Sequence, residues 1–163
     1  MARISEKHPR FRTKRQIAED VAFILNAPVT YGTKFAVLHE ACWVWTEFDG
    51  KYKGCRYWTK AAILARAVDK KAKLKHEHIV PKKVVINALL ELPDKNADSV
   101  YAIMDRFLIG VVVTPEEDAV LSGAHSATMP PEFFDPTSPC FQDPWLRYSP
   151  YRAYGLEVIL RCT

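Results

Sequence analysis

The most restrictive feature of the sequence is a short β-branched run that leads directly into a strongly marked helix start. Residues 108–113 read Leu-Ile-Gly-Val-Val-Val, a length and composition typical of a buried strand. Thr114 then stands as an N-cap, Pro115 occupies the first helical position, and Glu117 completes a capping box three residues after the cap. The sequence therefore predicts a buried strand over 108–113 and a two-turn helix over 115–122 that ends at Gly123.

Apolar residues recur at helical spacing in several other segments. The first helix is expected over 14–26 behind Thr13, and the second is expected to start after Thr33 and stop near Gly50. Thr59 is a third candidate cap. The remaining predicted helices are 60–70, 82–92 and 97–107.

Strand signals lie between these helices. Residues 51–58 are rich in aromatic side chains, residues 73–79 alternate until Pro81 stops them, and residues 154–162 form a last candidate strand. Helices thus come first, and strands and helices are mixed afterwards. This order favours a small mixed α+β domain, with the later strands packed on N-terminal helices, over a doubly wound fold.

Length and tail composition indicate how the chain is organised. The 163 residues are typical of one domain, so residues 1–163 are expected to form a single unit. We expect a basic arm over 1–12, a mainly helical part over 13–70, and a proline-rich tail over 126–163 that wraps over the domain before the final strand. The expected anchors of that tail are Phe133, Phe134, Phe141 and Trp145.

Composition excludes several classes of protein. Apolar residues make up 48% and charged residues 26%, which argues against a disordered or fibrous chain. No apolar run approaches the roughly 20 residues of a membrane span, and the first residues lack the apolar core of a secretory leader. Because Cys42, Cys55, Cys140 and Cys162 form no CxxC pair, we expect free thiols in the reducing cytoplasm.

Charge is distributed unevenly along the chain. Residues 1–15 carry six Lys or Arg against one acid, and residues 51–83 carry eleven against two. Residues 84–163 reverse the balance, with five basic and eleven acidic residues. Such a polarised molecule can present a basic face to a polyanion, although a solvated surface would show the same count.

One short motif carries most of the chemical information. Glu77-His78-Ile79-Val80-Pro81 resembles the HNH, or ββα-metal, endonucleases, in which a strand ends in an acid or His, then His, two apolar residues and Pro. The resemblance covers about 50 residues and implies a ββα finger over 71–125 with a helical insertion: strand 73–79, strand 108–113 and helix 115–122.

The same resemblance assigns roles to individual residues. It makes Glu77 a ligand of a divalent metal (Mg²⁺, Mn²⁺ or Zn²⁺) and His78 the general base that activates water against a phosphodiester. Asp118, early in the last helix, and His125 beyond Gly123 are the further candidate ligands.

Strand geometry leaves two other interpretations open. Regular alternation places His76 and His78 on one face and Glu77 on the other, so Glu77 and His78 share a site only if the strand bends. The His76-x-His78 pair is the core of an alternative metal site completed by Asp118 or His125. In a purely structural interpretation, both histidines are polar positions on a half-exposed strand.

Three functions remain after these considerations. The first is a metal-dependent endonuclease acting on DNA or RNA. The second is a non-catalytic nucleic-acid-binding or regulatory protein derived from such a finger, since the expected central Asn is missing. The third is an interaction protein that docks a protein partner through its acidic, aromatic C-terminal half. The candidate nucleic-acid contacts are Arg10, Arg12, Lys14, Arg15, Lys71, Lys73, Lys75, Lys82 and Lys83.

Overall fold

The described part of the chain forms six α-helices, one 3₁₀ helix and a four-stranded sheet. The computed structural model describes residues 11–48, 51–52, 55–148 and 158–160, with backbone only at 124–125 and 158–160. The helices are α1 Lys14–Asn26, α2 Tyr31–Thr46, α3 Lys60–Val68, α4 Lys82–Leu90, α5 Ala97–Phe107, α6 Pro115–His125 and the 3₁₀ helix Pro131–Phe133. The strands are β1 Tyr57–Thr59, β2 Lys75–His78, β3 Gly110–Val113 and β4 Val158–Leu160. The prediction of a small mixed α+β domain is confirmed.

The sheet brings together strands that are distant in sequence. Its order is β2-β3-β1-β4, with β2 and β3 antiparallel, β1 and β3 parallel, and β1 and β4 antiparallel. Within the β2–β3 pair, His76 lies opposite Val112, Glu77 opposite Val111 and His78 opposite Gly110. The chain passes through α4 and α5 between these two strands. Because β2 comes first in the strand order, it is an edge strand of the sheet that the described residues form.

Side-chain caps determine where most helices begin. Thr13 and Thr114 both form complete capping boxes, with Gln16 and Glu117 respectively. These two helix starts are as predicted. Helix α2 begins at Tyr31, earlier than expected, because the Thr30 side chain accepts a hydrogen bond from the Thr33 backbone N–H.

Several predicted ends differ from the structure by a few residues. Helix α6 continues through Gly123 to His125, and α3 stops at Val68 rather than at residue 70. The strand expected over 73–79 is limited to Lys75–His78, and the one expected over 108–113 to Gly110–Val113. Ladder hydrogen bonds, which depend on the neighbouring strand, set these limits.

Strand β3 separates two apolar clusters. Val111 and Val113 pack in the main core, which includes Leu121 of α6 and the inner faces of α1, α2, α4 and α5. Val112 points the other way, into a smaller cluster with Trp58 of β1 and Ala62 of α3. Both faces of β3 are thus covered.

The C-terminal segment is only partly anchored in the way predicted. Phe133 is buried, and Trp145 packs edge-on against Tyr57 with ring centroids 4.9 Å apart. Phe134 and Phe141, which were expected to anchor the segment, are instead 51% and 41% exposed. Among the described residues, no helix has the length and apolarity needed to cross a membrane.

The close approach of β2 and β3 gives a prediction. A Cβ added to Gly110 would lie 1.9 Å from His76 Nε2, and His76 is buried, so its ring could yield only by disturbing its neighbours. Gly110→Ala should therefore lower the free energy of unfolding by about 1–3 kcal/mol, as expected for overpacking. Urea denaturation measures this change.

Two variants serve as controls for that prediction. Gly123→Ala, on α6 with nothing within 4 Å of the added Cβ, should leave stability unchanged or raise it by up to about 1 kcal/mol. In a His76→Ala background, Gly110→Ala should cost much less, because the clashing ring is gone. Equal costs with and without His76 would contradict the proposed clash.

Candidate functional site

Strand β2 separates its chemical groups onto two faces of the sheet. Because directly opposed residues of an antiparallel pair share a face, His76 and His78 lie on the side of Val112, and Glu77 lies on the side of Val111. The His76 and His78 rings are neighbours, with centroids 5.6 Å apart. The site therefore consists of two environments, one on each face.

The environment of His78 is enclosed. Its Nε2 lies 3.1 Å from the Thr46 hydroxyl, and the Trp43 ring packs edge-on against it at 4.9 Å. Burial lowers the pKa of His78 to about 3, and electrostatic interactions with His76 and Lys82 add to this lowering. His78 is consequently a neutral imidazole at physiological pH.

His76 is also held neutral by its surroundings. Its Nδ1 lies 3.6 Å from Glu47 Oε1, beyond hydrogen-bond distance, and neither ring nitrogen has a partner among the described residues. Burial lowers the pKa of His76, and the Glu47 carboxylate only partly opposes that shift. His76 and Glu47 therefore do not form an ion pair near neutral pH.

The opposite face is organised around a fully buried arginine, Arg147. Its Nη1 donates to Glu77 Oε1 at 2.8 Å and to the His78 carbonyl at 2.9 Å, and its Nη2 donates to the Leu121 carbonyl at 3.5 Å. Burial raises the pKa of Glu77, the Arg147 charge opposes this, and Asp118 adds to the rise. Glu77 is thus held by a cation that belongs to the chain itself.

The predicted metal ligands are distributed between these environments. Glu77 and His78 point to opposite faces, and Asp118 acts electrostatically on Glu77 rather than on the histidine pair. His125 is the last residue of α6, and its side chain lies outside the described residues. Within the described ranges, no three His, Cys, Asp or Glu side chains are grouped so that they could hold a metal ion.

Glu117 stabilises the start of α6 and connects it to β1. Its Oε2 accepts hydrogen bonds from the Thr114 backbone N–H at 2.9 Å and from the Thr59 hydroxyl at 2.6 Å. The carboxylate thereby ties the start of α6 to the end of β1. This agrees with its prediction as the capping-box residue.

Two of the described free thiols, Cys42 and Cys55, are buried. Burial raises the pKa of Cys42 to about 12 and that of Cys55 to about 11. Cys55 also donates to the Gly110 carbonyl, with Sγ at 2.9 Å. Because the thiolate is the reactive form, neither side chain is suited to nucleophilic attack.

The cations at the start of α1 are already paired with carboxylates. Arg12 contacts Asp20 at 3.1 Å, Lys14 contacts Asp105 at 3.6 Å, and Arg15 contacts both Glu19 and Asp98. Arg10, also predicted to bind nucleic acid, lies outside the described residues. Phosphate binding at these three side chains would compete with existing ion pairs.

The lysines that precede and begin β2 are different. Lys70, Lys71, Lys73 and Lys75 are exposed, and none forms a salt bridge with a carboxylate of the described chain. The backbone that carries them is ordered by Asp69, whose carboxylate accepts from the Lys71 N–H at 2.8 Å. We call these four residues the lysine surface.

Two further predicted contacts lie after β2. Lys82 Nζ lies 3.9 Å from the centroid of the Trp43 ring, which is a cation–π contact. The same Trp43 ring packs against His76 and His78. Burial lowers the pKa of Lys82. Lys83 is exposed and lies at the rim of a cleft formed by α4, α5 and the C-terminal segment.

Sequence reasoning did not identify two central residues, Arg147 and Trp43. Arg147 stands in a proline-rich segment with no periodicity, so nothing local indicates that it is buried. Trp43 follows a helical apolar pattern like that of its neighbour Trp45, but the structure buries Trp45 and leaves Trp43 half-exposed under Lys82. Comparison with protein-family models, with curated proteins and with solved structures finds no match for this chain.

The buried neutral state of His78 predicts a loss of stability in acid. Its folded pKa of about 3 lies below the roughly 6.5 expected for an unfolded chain, so the unfolded state binds more protons between these values. The contribution of neutral His78 to the free energy of unfolding is therefore fully present above pH 6.5 and is lost as the pH falls towards 3. At pH 5 the loss from this residue should be about 2 kcal/mol.

Substitution isolates that contribution. His78→Gln keeps a polar group near Thr46 but does not titrate, so its free energy of unfolding should fall about 2 kcal/mol less than that of the wild type between pH 7.5 and pH 5. Urea titrations at both pH values measure the difference. His39→Gln is the control: burial also lowers the pKa of His39, but this side chain is half-exposed, so His39→Gln should reduce the pH dependence by less than His78→Gln does. An equal fall in His78→Gln and the wild type would contradict the buried neutral histidine.

Proposed function

We propose that this domain binds nucleic acid through the lysine surface and does not hydrolyse it at Glu77 and His78. The observation that carries the binding part is the contrast between paired and unpaired cations. The cations Arg12, Lys14 and Arg15 are neutralised by carboxylates, whereas the four lysines around the start of β2 meet no carboxylate within the described part of the chain. Such contacts release condensed counterions and supply sequence-independent affinity.

The local backbone supports the display of these lysines. The Ala72 N–H donates to the Asp69 carbonyl at 2.9 Å, and Arg66 donates to the Lys70 carbonyl while its guanidinium lies over the Tyr52 ring at 5.6 Å. The segment is therefore an ordered turn. Less conformational entropy is lost when such a turn binds a phosphate backbone than when a disordered tail does.

The non-catalytic part of the proposal rests on Arg147. Its guanidinium contacts the Glu77 carboxylate, the group that the HNH resemblance assigns to the metal. A metal ion at Glu77 would have to displace that contact and leave a buried arginine without its counter-charge, which typically costs about 3–5 kcal/mol. The described side chains therefore do not fit a metal site at Glu77.

The endonuclease is the second candidate, and one observation favours it. Antiparallel strands β2 and β3 are followed by α6, the order of elements expected of a ββα finger, and Asp118 of α6 influences Glu77. In that function His78 would have to leave its contact with Thr46 to reach water. The two candidates share nucleic-acid binding and differ in hydrolysis.

The binding part is tested by the salt dependence of affinity. Fluorescence anisotropy with labelled single-stranded and duplex 20-mers should give a dissociation constant that rises steeply with salt. The quadruple variant Lys70→Gln, Lys71→Gln, Lys73→Gln, Lys75→Gln should bind far more weakly, and its logarithmic salt slope should be smaller in magnitude by about 3–4 on duplex DNA.

The triple variant Arg12→Gln, Lys14→Gln, Arg15→Gln is the matched control and should change the salt slope by less than about 1. Circular dichroism and urea titration confirm that each variant is folded. Equal effects of the two variants would contradict the assignment of the lysine surface.

Hydrolysis is tested in a plasmid-nicking assay with Mg²⁺, Mn²⁺ or Zn²⁺ beside EDTA. We expect no nicking by protein that binds the plasmid. Metal-dependent nicking that is lost in His78→Gln would instead establish the endonuclease with His78 as its base. Nicking retained in that variant would indicate a contaminating activity or another site.

A further inference from the structure

A cleft of about 560 Å³ lies between α4, α5 and the C-terminal segment. Its volume is within the range of about 300–1,000 Å³ that is typical of small-ligand sites. Its lining includes the side chains of Lys83, Asn87, Glu91, Phe134, Phe141 and Gln142. The cleft is on a different part of the fold from the histidine pair and the Glu77–Arg147 contact, none of whose residues lines it.

A rigid loop forms one wall of this cleft. The Gln142 backbone N–H donates to the Phe133 carbonyl at 3.0 Å and closes the loop. Inside it, Asp135 Oδ1 accepts from both the backbone N–H and the hydroxyl of Thr137, at 2.9 and 2.7 Å. The loop is thus held by its own hydrogen bonds.

The end of the loop is strained and firmly held. Gln142 has φ of 53°, a left-handed conformation unusual for a residue other than glycine. Arg106 donates to the Gln142 side-chain oxygen at 3.1 Å and to its carbonyl at 3.0 Å. Strain retained by surrounding bonds is typical of positions that present a binding surface.

The loop presents two aromatic rings to the cleft. Phe134 and Phe141 stand at the two ends of the closed loop, half-exposed and lining the cleft, although burying them would be favourable. Phe134 is supported from behind by the buried Phe133 ring, edge-on at 5.1 Å. A ring supported in this way can stack on a planar ligand at a small cost in conformational entropy.

Polar groups face these rings from α4. Lys83, Asn87 and Glu91 follow one another at four-residue spacing and so lie along one face of the helix, with Lys83 and Glu91 about 12 Å apart. The amide groups of Asn87 and Gln142 provide hydrogen-bond donors, since Arg106 engages only the oxygen of the latter. Lys83 supplies a cation at the end nearest β2.

We propose that this cleft binds an unpaired nucleobase of single-stranded nucleic acid. A base offers a planar face to Phe134 and Phe141 and a polar edge to Asn87 and Gln142, and its phosphate suits Lys83. The inference rests on the proposed nucleic-acid binding and deepens it, because it adds a preference for single strands that the lysine surface alone does not supply.

The test uses an oligo-dT 20-mer with one central 2-aminopurine, whose fluorescence responds to stacking. Phe134→Ala and Phe141→Ala should each weaken single-strand binding by about five- to a hundredfold and abolish the fluorescence change. Duplex affinity and the salt slope should stay unchanged, because no charge is removed. Phe23→Ala, which removes a phenylalanine that is 73% exposed on α1, is the matched control and should behave as the wild type.

The possible outcomes separate this inference from the proposed function. If single-strand binding survives both cleft variants but not the quadruple lysine variant, the cleft assignment fails and the lysine surface stands. Equal losses on single strands and duplexes would also overturn the cleft assignment. Binding of free 2-aminopurine nucleotide as tightly as of the 20-mer would assign the cleft to a nucleotide rather than to a strand, against the proposal.

Discussion

The buried guanidinium of Arg147 is the interaction on which the rest of this fold depends. A charge removed from water must recover its hydration energy from fixed partners, and here these are the Glu77 carboxylate and the carbonyls of His78 and Leu121. The partners belong to β2 and α6, and the arginine itself belongs to a segment without regular structure. One side chain therefore joins three parts of the chain, and the C-terminal segment becomes a component of the core.

The same interaction keeps the two faces of β2 chemically distinct. A strand alternates its side chains, so Glu77 and its histidine neighbours contribute to opposite sides of one sheet. On one side a buried carboxylate is stabilised by an internal cation. On the other, burial favours the neutral form of His76 and His78, and Trp43 covers the pair. Adjacent residues in a motif thus have separate environments unless the strand bends.

Sequence patterns predicted what is local and failed where distant groups decide. The start of α6 was predictable because Thr114 and Glu117 satisfy backbone groups within one turn. The alternation of His76, Glu77 and His78 in β2 was also predictable, because successive side chains of a strand point to opposite faces. The burial of Arg147 depends on a carboxylate 70 positions away, and the exposure of Phe134 depends on a loop closed by Gln142. No short-range pattern encodes either contact.

The number of charged residues in a segment also cannot predict which of them are paired, because the pairing depends on distant parts of the fold. The segments that carry Arg12, Lys14 and Arg15 and the lysine surface are similarly basic in sequence, but within the described residues only the first three side chains contact carboxylates, those of α1 and α5. The lysine surface adjoins an edge strand, where unpaired backbone groups would otherwise invite pairing with another sheet. Like charges keep a second copy of β2 away from this edge, whereas a polyanion is attracted to it. Protection of the edge and the proposed binding of a phosphate backbone would therefore use the same four lysines, and the two would be compatible.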